Sequence, residues 1–148
     1  MDKDAFFLRV ATALSGCQLV EQELKLYISE ALQLAEKSIA GRLPFRLSGE
    51  DYENTPLGQL IRVFAKLSDN PGLVKELDAF TNERNTLSHR GSTRCLDYDG
   101  ELSLPETTEY ERRLWKIEVD AKRLRIAIHD EANKFRGELY FGQFPDAG

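Results

Sequence analysis

The feature that most constrains the fold is a repeat of apolar residues at spacings of three and four over residues 4 to about 39. Such a repeat is typical of one buried face of an α-helix. Its members are Val10, Leu14, Cys17, Leu24, Ile28, Ala31 and Ala35, with Glu21 at one position of the same face. About 36 helical residues extend on the order of 54 Å, but a compact chain of this size has a radius of gyration of only about 15 Å. We therefore expect this helix either to break near Ser15-Gly16 or to project and pack on a partner chain.

Two shorter helices are expected after a polar loop over residues 41–54. The pair Thr55-Pro56 offers an N-cap and a first-turn proline for a helix that extends to about Leu67. A third helix is predicted from Pro71 or Gly72 to about Arg90.

A fourth helix is predicted from the capping box Thr108-Glu109-Tyr110-Glu111 to about Arg136-Gly137. The turn pair Asp99-Gly100 favours a small β-hairpin near residues 95–104. An aromatic tail, at about residues 138–148, is expected to dock on the body of the protein or on another chain. Together these patterns predict a single domain, residues 1–148, with an all-α fold: an antiparallel four-helix bundle with a long first helix.

Composition indicates a globular protein, because 41% of the 148 residues are hydrophobic and 30% are charged. No apolar run approaches the roughly 20 residues of a membrane span, and Met1-Asp2-Lys3-Asp4 does not begin a signal peptide. We therefore expect a cytoplasmic protein without a membrane contact. Cys17 and Cys95 lack metal spacing and a disulfide framework, which predicts reduced thiols. A net charge of −5 means that any nucleic-acid contact requires a local basic patch.

The clearest indication of function is the segment 83–91, where an arginine occupies a position that should be buried. The apolar residues of the third helix step by four and three, and the same steps place Arg84 between Phe80 and Leu87. Because burying an unpaired guanidinium is costly, Arg84 should be paired or should face a site that receives an anion. His89 follows close behind. The two residues together indicate phosphate chemistry.

The motif Arg84-Asn85-x-x-x-His89, late in the third of four predicted helices, resembles that of the HEPN superfamily. Its members are small α-helical bundles marked by an arginine, often followed by a polar residue, and by a histidine a few positions later. The resemblance implies a cytoplasmic endoribonuclease that needs no metal or cofactor and works as a homodimer. It also implies RNA as the substrate and a toxin–antitoxin, phage-defence or RNA-processing setting, with an antitoxin protein as a further partner. Toxins of this superfamily controlled by nucleotidylation carry a tyrosine two residues after the histidine, and Gly91 at that position argues against such control.

Helical geometry favours a site shared by two copies of the chain. Arg84 and His89 are five residues apart and point about 140° from each other on an undistorted helix. One copy would therefore contact a single phosphate poorly, whereas a two-fold axis would bring each motif opposite itself. Asn85 and His89 share a face, so the amide could orient the imidazole or contact a ribose or phosphate oxygen.

Metal-independent cleavage of RNA needs a base for the 2′-hydroxyl, an acid for the leaving 5′-oxygen and positive charge on the transition state. His89 fits the first two roles because histidine titrates near neutral pH, and Arg84 fits the third. Glu21 would position the arginine. Ser88 and Arg90, on either side of the histidine, complete the supporting set.

Each of these residues also has a structural interpretation. Arg84 could form a buried ion pair with Glu21 or Glu23 of the first helix, and His89 could be an ordinary helix-end histidine. The other histidine, His129, is interpreted as structural or solvated. A run of basic residues in the last helix could guide RNA or form a solvated face: Lys116, Lys122, Arg123, Arg125, Lys134 and Arg136.

The sequence contains no metal-ligand spacing, phosphate-binding loop or hydrolase triad, so neither a metal nor a cofactor is expected. The alternative to a ribonuclease is a catalytically inactive helical module that dimerises and binds a partner. A nucleotidyltransferase-like antitoxin, bound through the aromatic tail, would be one such partner.

Overall fold

A computed structural model shows an all-α fold built on two long helices, and it describes residues 3–90 and 104–142. The helices are α1 (Lys3–Ile39), α2 (Leu57–Leu67), α3 (Pro71–Arg90) and α4 (Leu104–Phe141). No strand occurs in these two ranges. The predicted all-α fold of four helices with a long first helix is therefore confirmed. The hairpin predicted near 95–104 lies outside the described residues, except for Leu104, which begins α4.

Helices α1 and α4 lie side by side and run in the same direction. Near their first turns the rings of Phe6 and Tyr110 are 5.7 Å apart, and towards their ends Glu30 and Arg136 form an ion pair at 2.8 Å. The expectation that the first helix breaks or projects is wrong, because α4 is equally long and packs along it. Because α1 and α4 are long and pack side by side, the fold accommodates a helix that is too long for a spherical domain of the same mass.

The position at which the break was expected is instead a point of close packing. A Cβ atom on Gly16 would lie 3.2 Å from the Cβ of Ala121. Two small residues thus let the backbones of α1 and α4 approach closely. This close approach of α1 to α4 accounts for a glycine inside a continuous helix.

Helix α3 packs along α4 and runs antiparallel to it. Near its C-terminal end the Tyr110 hydroxyl donates to the Leu87 carbonyl at 3.3 Å. At its start the Asn70 side chain accepts from the Leu73 amide at 3.1 Å, which caps the helix, and donates to Glu131 at 2.7 Å. One asparagine therefore both begins α3 and attaches it to α4.

Glu131 is a nearly buried carboxylate whose ionised form is held by its partners. Burial disfavours the charge, but hydrogen bonds from Lys134 and Asn70 outweigh burial and hold the pKa of this carboxyl below its usual value. The attachment of α3 to α4 is thus made to a charged acceptor, which strengthens the hydrogen bond.

The core is a single apolar cluster to which all four helices contribute. Tyr27 lies at its centre: its ring is 4.8 Å from that of Phe64 on α2 and 5.3 Å from that of Phe135 on α4. Its hydroxyl donates to the carbonyl of Leu67 at the end of α2. The fully buried large side chains are Phe6, Val20, Leu24, Ile28, Leu57, Leu60, Ile61, Phe64, Leu77, Leu124 and Ile128.

The loop between α1 and α2 contains a 3-10 turn, Gly49–Tyr52, that the sequence pattern did not predict. A Cβ on Gly49 would lie 2.6 Å from the Cβ of Ser29, so only glycine allows this turn to lie against α1. Phe45 and Tyr52 pack on the edge of the core. The polar loop is therefore attached to the bundle.

Both predicted ends of α4 are wrong. Helix α4 begins at Leu104, so the expected capping box at 108–111 lies inside the helix, and α4 ends at Phe141 instead of near 136–137. The first part of the predicted aromatic tail is therefore helical, with Leu139 buried and Tyr140 and Phe141 exposed; residues 143–148 are outside the described ranges. The predicted N-cap at Thr55 is also wrong by one residue, because α2 begins at Leu57 and its N-cap residue is Pro56.

Although α1 and α4 are both longer than a bilayer is thick, their composition excludes a membrane span. No helix in the described part of the chain has an apolar stretch long enough to cross a membrane.

The ion pair between Glu30 and Arg136 joins α1 to α4 at a position with little solvent exposure. The Glu30 side chain is 3% exposed and the Arg136 side chain 19%. The guanidinium donates from Nε to Oε2 at 3.0 Å and from Nη2 to Oε1 at 2.8 Å, a two-point contact.

We predict that Arg136→Met lowers the free energy of unfolding by about 3–5 kcal/mol, because it leaves the Glu30 carboxylate buried without a cationic partner. Urea unfolding at neutral pH measures the change. Arg123→Met is the matched control, since the pair of Arg123 with Glu76 is half-exposed and should contribute less than about 1 kcal/mol. Equal losses for both variants would contradict the prediction.

Candidate functional site

The candidate site is centred on Arg84, on the inward face of α3. Its neighbours on that face, Phe80 and Leu87, are 3% and 5% exposed. The Arg84 side chain is 35% exposed. The predicted position on the buried stripe is therefore correct, but the guanidinium is at the edge of the core and retains access to solvent.

Among the described residues, the partners of Arg84 use only part of its hydrogen-bonding capacity. Its Nη2 lies 4.0 Å from Oε1 of Glu21, a distance that allows attraction but no hydrogen bond. Its Nη1 donates to Asn85 Oδ1 at 3.3 Å. Its Nε is buried and has no acceptor among the described residues. Of the two glutamates considered as partners, Glu21 is the one that the structure places within ion-pair distance, not Glu23.

Cys17 lies beside this pair, although the sequence analysis assigned it only to the core. Its thiol is buried, and burial raises its pKa to about 11, with Arg84 lowering it and Glu21 raising it. Both charges therefore act on one thiol. Cys17 and Glu21 are four residues apart on α1, so the sequence did contain a signal that they share a face.

The raised pKa of the Cys17 thiol argues against a role as a nucleophile. A thiol with a pKa near 11 is almost entirely protonated at neutral pH and is a poor nucleophile. The pKa of Cys17 therefore responds to the charges of Arg84 and Glu21.

The remaining predicted site residues lie in the last turn of α3. The helix continues through Arg90, so the backbone of Ser88, His89 and Arg90 is helical. Their side chains are outside the described residues. Because α3 is continuous, positions 84 and 89 differ by about 140° in direction, which was the basis for expecting a second copy of the chain.

The second histidine belongs to a different network. His129 Nδ1 is 3.0 Å from Nη1 of Arg136, which also donates to Asn133. The same arginine holds the buried Glu30. Since a guanidinium can only donate, this contact is a hydrogen bond in the tautomer that leaves Nδ1 as an acceptor. These contacts agree with the structural interpretation of His129.

The basic residues of α4 do not form a continuous free basic tract. Arg123 pairs with Glu76 at 2.9 Å, Lys134 with Glu131 at 2.7 Å, and Arg136 is held by Glu30. Carboxylates from the same bundle therefore compensate much of this charge, as expected of a solvated face. In the described ranges no group of three or more His, Cys, Asp or Glu residues is arranged to bind a metal ion.

Comparisons of the chain with protein-family models, with curated proteins and with solved structures gave no match. The resemblance to the HEPN superfamily therefore rests on the motif from Arg84 to His89 and on its position late in the third helix.

We predict that the charges of Glu21 and Arg84 shift the Cys17 pKa in opposite directions. Glu21→Gln removes a negative charge that disfavours the thiolate, so the pKa should fall. Arg84→Met removes a positive charge that favours it, so the pKa should rise.

The titration can be followed by the ¹³Cβ resonance of labelled cysteine in a Cys95→Ser background, over the pH range in which the protein stays folded. Glu23→Gln is the control and should leave the resonance of Cys17 unchanged. Identical titrations of the Glu21 and Arg84 variants would rule out the arrangement described above.

Proposed function

We propose that this chain is a cytoplasmic, metal-independent endoribonuclease of the HEPN type that cleaves RNA at a site formed by two copies of the chain. The observation that supports this proposal is the state of Arg84. Its guanidinium is partly buried, is weakly attracted to Glu21 at 4.0 Å, and has a buried Nε without an acceptor among the described residues.

Such an arginine is suited to bind a phosphate. A guanidinium that is partly removed from water interacts strongly with an anion, and its planar set of donors matches the oxygens of a phosphodiester. Glu21 attracts the guanidinium without a hydrogen bond at 4.0 Å, and within the described ranges Nε has no acceptor. Asn85 accepts from Nη1 and so fixes the plane of the guanidinium from the neighbouring position.

The reaction requires one bond to form and one to break. The ribose 2′-oxygen attacks phosphorus as a base removes its proton, and the bond from phosphorus to the 5′-oxygen breaks as an acid protonates the leaving group. His89 is the proposed base and acid, and Arg84 stabilises the negative charge of the transition state. The products are a 2′,3′-cyclic phosphate and a 5′-hydroxyl. Ser88 and Arg90 are the proposed supporting residues.

In this proposal a second copy of the chain supplies a second imidazole. Positions 84 and 89 diverge by about 140° on α3, and the other histidine, His129, accepts from the structural Arg136. Two copies of His89, related by a two-fold axis, would provide both acid and base. The proposed setting is a toxin–antitoxin or phage-defence system, with an antitoxin as a regulatory partner.

The alternative proposal is an inactive helical module that binds a protein partner. It is favoured by the end of α4, where Tyr140 is 59% exposed and Phe141 77% exposed. Expression separates the two proposals. A ribonuclease should slow the growth of its host, and Arg84→Ala should relieve that effect. If the protein is an inactive module, the growth of its host should be the same with and without the substitution.

We predict that the purified protein cleaves mixed cellular RNA in the presence of EDTA and leaves 2′,3′-cyclic phosphate ends. His89→Ala should abolish cleavage with the fold intact, because it removes the acid and base, and Arg84→Ala should also abolish it. His129→Ala is the matched control and should retain activity. Denaturing gels with end-group analysis give the readout, and cleavage that depends on a divalent ion would overturn the proposal.

A mixture of two inactive variants tests how the site is divided. If one site on the two-fold axis uses both copies of His89, a heterodimer of Arg84→Ala with His89→Ala retains one imidazole and should stay nearly inactive. If each of two sites takes Arg84 from one chain and His89 from the other, the heterodimer rebuilds one complete site. We predict the first result, measured by RNA cleavage after the variants are mixed and refolded. Strong recovery of activity would reject the single shared site.

A further inference from the structure

The side of α1 that carries Glu21 is open to solvent over the first half of the helix. Residues spaced by seven lie on one line along this side, which turns by only about 20° at each step: Phe7, Leu14, Glu21 and Ile28. Ile28 is fully buried, whereas Leu14 and Phe7 are 44% and 38% exposed. The apolar repeat placed Leu14 on the buried face, so its exposure shows that the cover over this line ends near Glu21.

The ring of Phe7 is connected by contacts to the last turns of α3. It lies 5.5 Å from the ring of the buried Phe6, which lies 5.7 Å from the ring of Tyr110. The Tyr110 hydroxyl donates to the Leu87 carbonyl at 3.3 Å, and Leu87 precedes His89 by two residues. An exposed ring, supported by a buried one, is therefore close to the part of α3 that carries the proposed base and acid.

The opposite end of this open line leads to the proposed phosphate site. Glu21 is the next residue of the line after Leu14, and it lies 4.0 Å from the Arg84 guanidinium. Two apolar side chains, Phe7 and Leu14, thus lie along α1 on the side of the helix that faces Arg84.

The charge of the first half of α1 suits an anionic ligand. Between Asp4 and Glu21 the helix has a single charged residue, Arg9. Four glutamates follow in the second half: Glu21, Glu23, Glu30 and Glu36. A strand of RNA that lies along the first half therefore meets no carboxylate of this helix before it reaches Glu21.

We propose that Phe7 is a platform on which an unpaired base of the RNA stacks, with Leu14 against the same strand between Phe7 and Arg84. The substrate class is then single-stranded RNA, because the paired and stacked bases of a duplex offer no free face to an aromatic ring. The inference rests on the proposed function, which supplies the phosphate bound by Arg84, and adds to it a preference for unpaired nucleotides.

A nucleotide suits this surface better than a protein partner does. A nucleotide presents an anion and a flat apolar ring, and the surface offers a counterpart to each: the Arg84 guanidinium, whose Nε has no acceptor among the described residues, and the exposed ring of Phe7. A protein interface needs a much larger area, whereas the apolar surface described on this line consists of two side chains.

The test compares a single strand with a duplex, both made of 2′-O-methyl RNA that binds but cannot be cleaved. Phe7→Leu removes the ring and keeps an apolar side chain. It should weaken binding of the single strand at least about tenfold, the effect of losing one stacked base. Affinity for the duplex should not change. Phe7→Trp keeps an aromatic ring and should bind the single strand as the unmodified chain does.

Phe141→Leu is the matched control, since it removes a ring that is 77% exposed at the end of α4, and it should alter neither affinity. Fluorescence anisotropy gives the dissociation constants, and circular dichroism checks that each variant folds. Phe7→Met serves as a second variant if Phe7→Leu does not fold.

The inference is overturned if the unmodified chain does not bind the single strand or if Phe7→Leu binds it as tightly as the unmodified chain. Equal weakening for single strand and duplex, or an equal loss in Phe141→Leu, would also overturn it. The outcome is separable from that for the ribonuclease. RNA cleavage together with single-strand binding that Phe7→Leu does not change would refute the platform and leave the proposed function standing. Single-strand binding that depends on the Phe7 ring, in a protein that does not cleave RNA, would support the platform and refute the ribonuclease.

Discussion

The parallel packing of α1 against α4 is the interaction on which the rest of the structure depends. Gly16 and Ala121 allow the two backbones to approach, and the buried pair of Glu30 and Arg136 joins the far ends. The short elements attach to this pair: α2 through the contacts of Tyr27 and α3 through Asn70. The same pairing determines which side of α1 is turned inward, next to Arg84, and which side remains outward.

Much of the fold could be predicted because it depends on local patterns. The apolar steps of three and four located α1, α2 and α3 to within a few residues, and glycine and proline marked most of their ends. The error about α1 arose because a long helix was compared with a compact sphere, when its neighbour is a second long helix. The length of that neighbour, α4, was underestimated. Its end was expected near the glycine at position 137, but Leu139 lies beyond that glycine and is buried. Which helices pack together is a tertiary property, and periodicity does not specify it.

The candidate site shows the same division between local and tertiary information. The sequence placed Arg84 on the inward stripe and offered Glu21 or Glu23 as a partner, with Glu21 interrupting an apolar face as Arg84 does. It could not predict that they would lie 4.0 Å apart or that a buried Nε would have no acceptor in the described part of the chain, because these depend on the distance between two helices.

The central claim is that Arg84 contacts a phosphate of RNA and is not simply a structural ion pair. The most direct measurement is the ¹⁵N–¹H resonance of the Arg84 Nε group during titration with a 2′-O-methyl oligoribonucleotide, which binds but cannot be cleaved. Arg84→Lys, which lacks this group, assigns the resonance. The account predicts a large, saturable shift of this resonance, since Nε, which has no acceptor among the described residues, would donate to a phosphate oxygen. Binding of the oligonucleotide with the Arg84 resonance unmoved would contradict it.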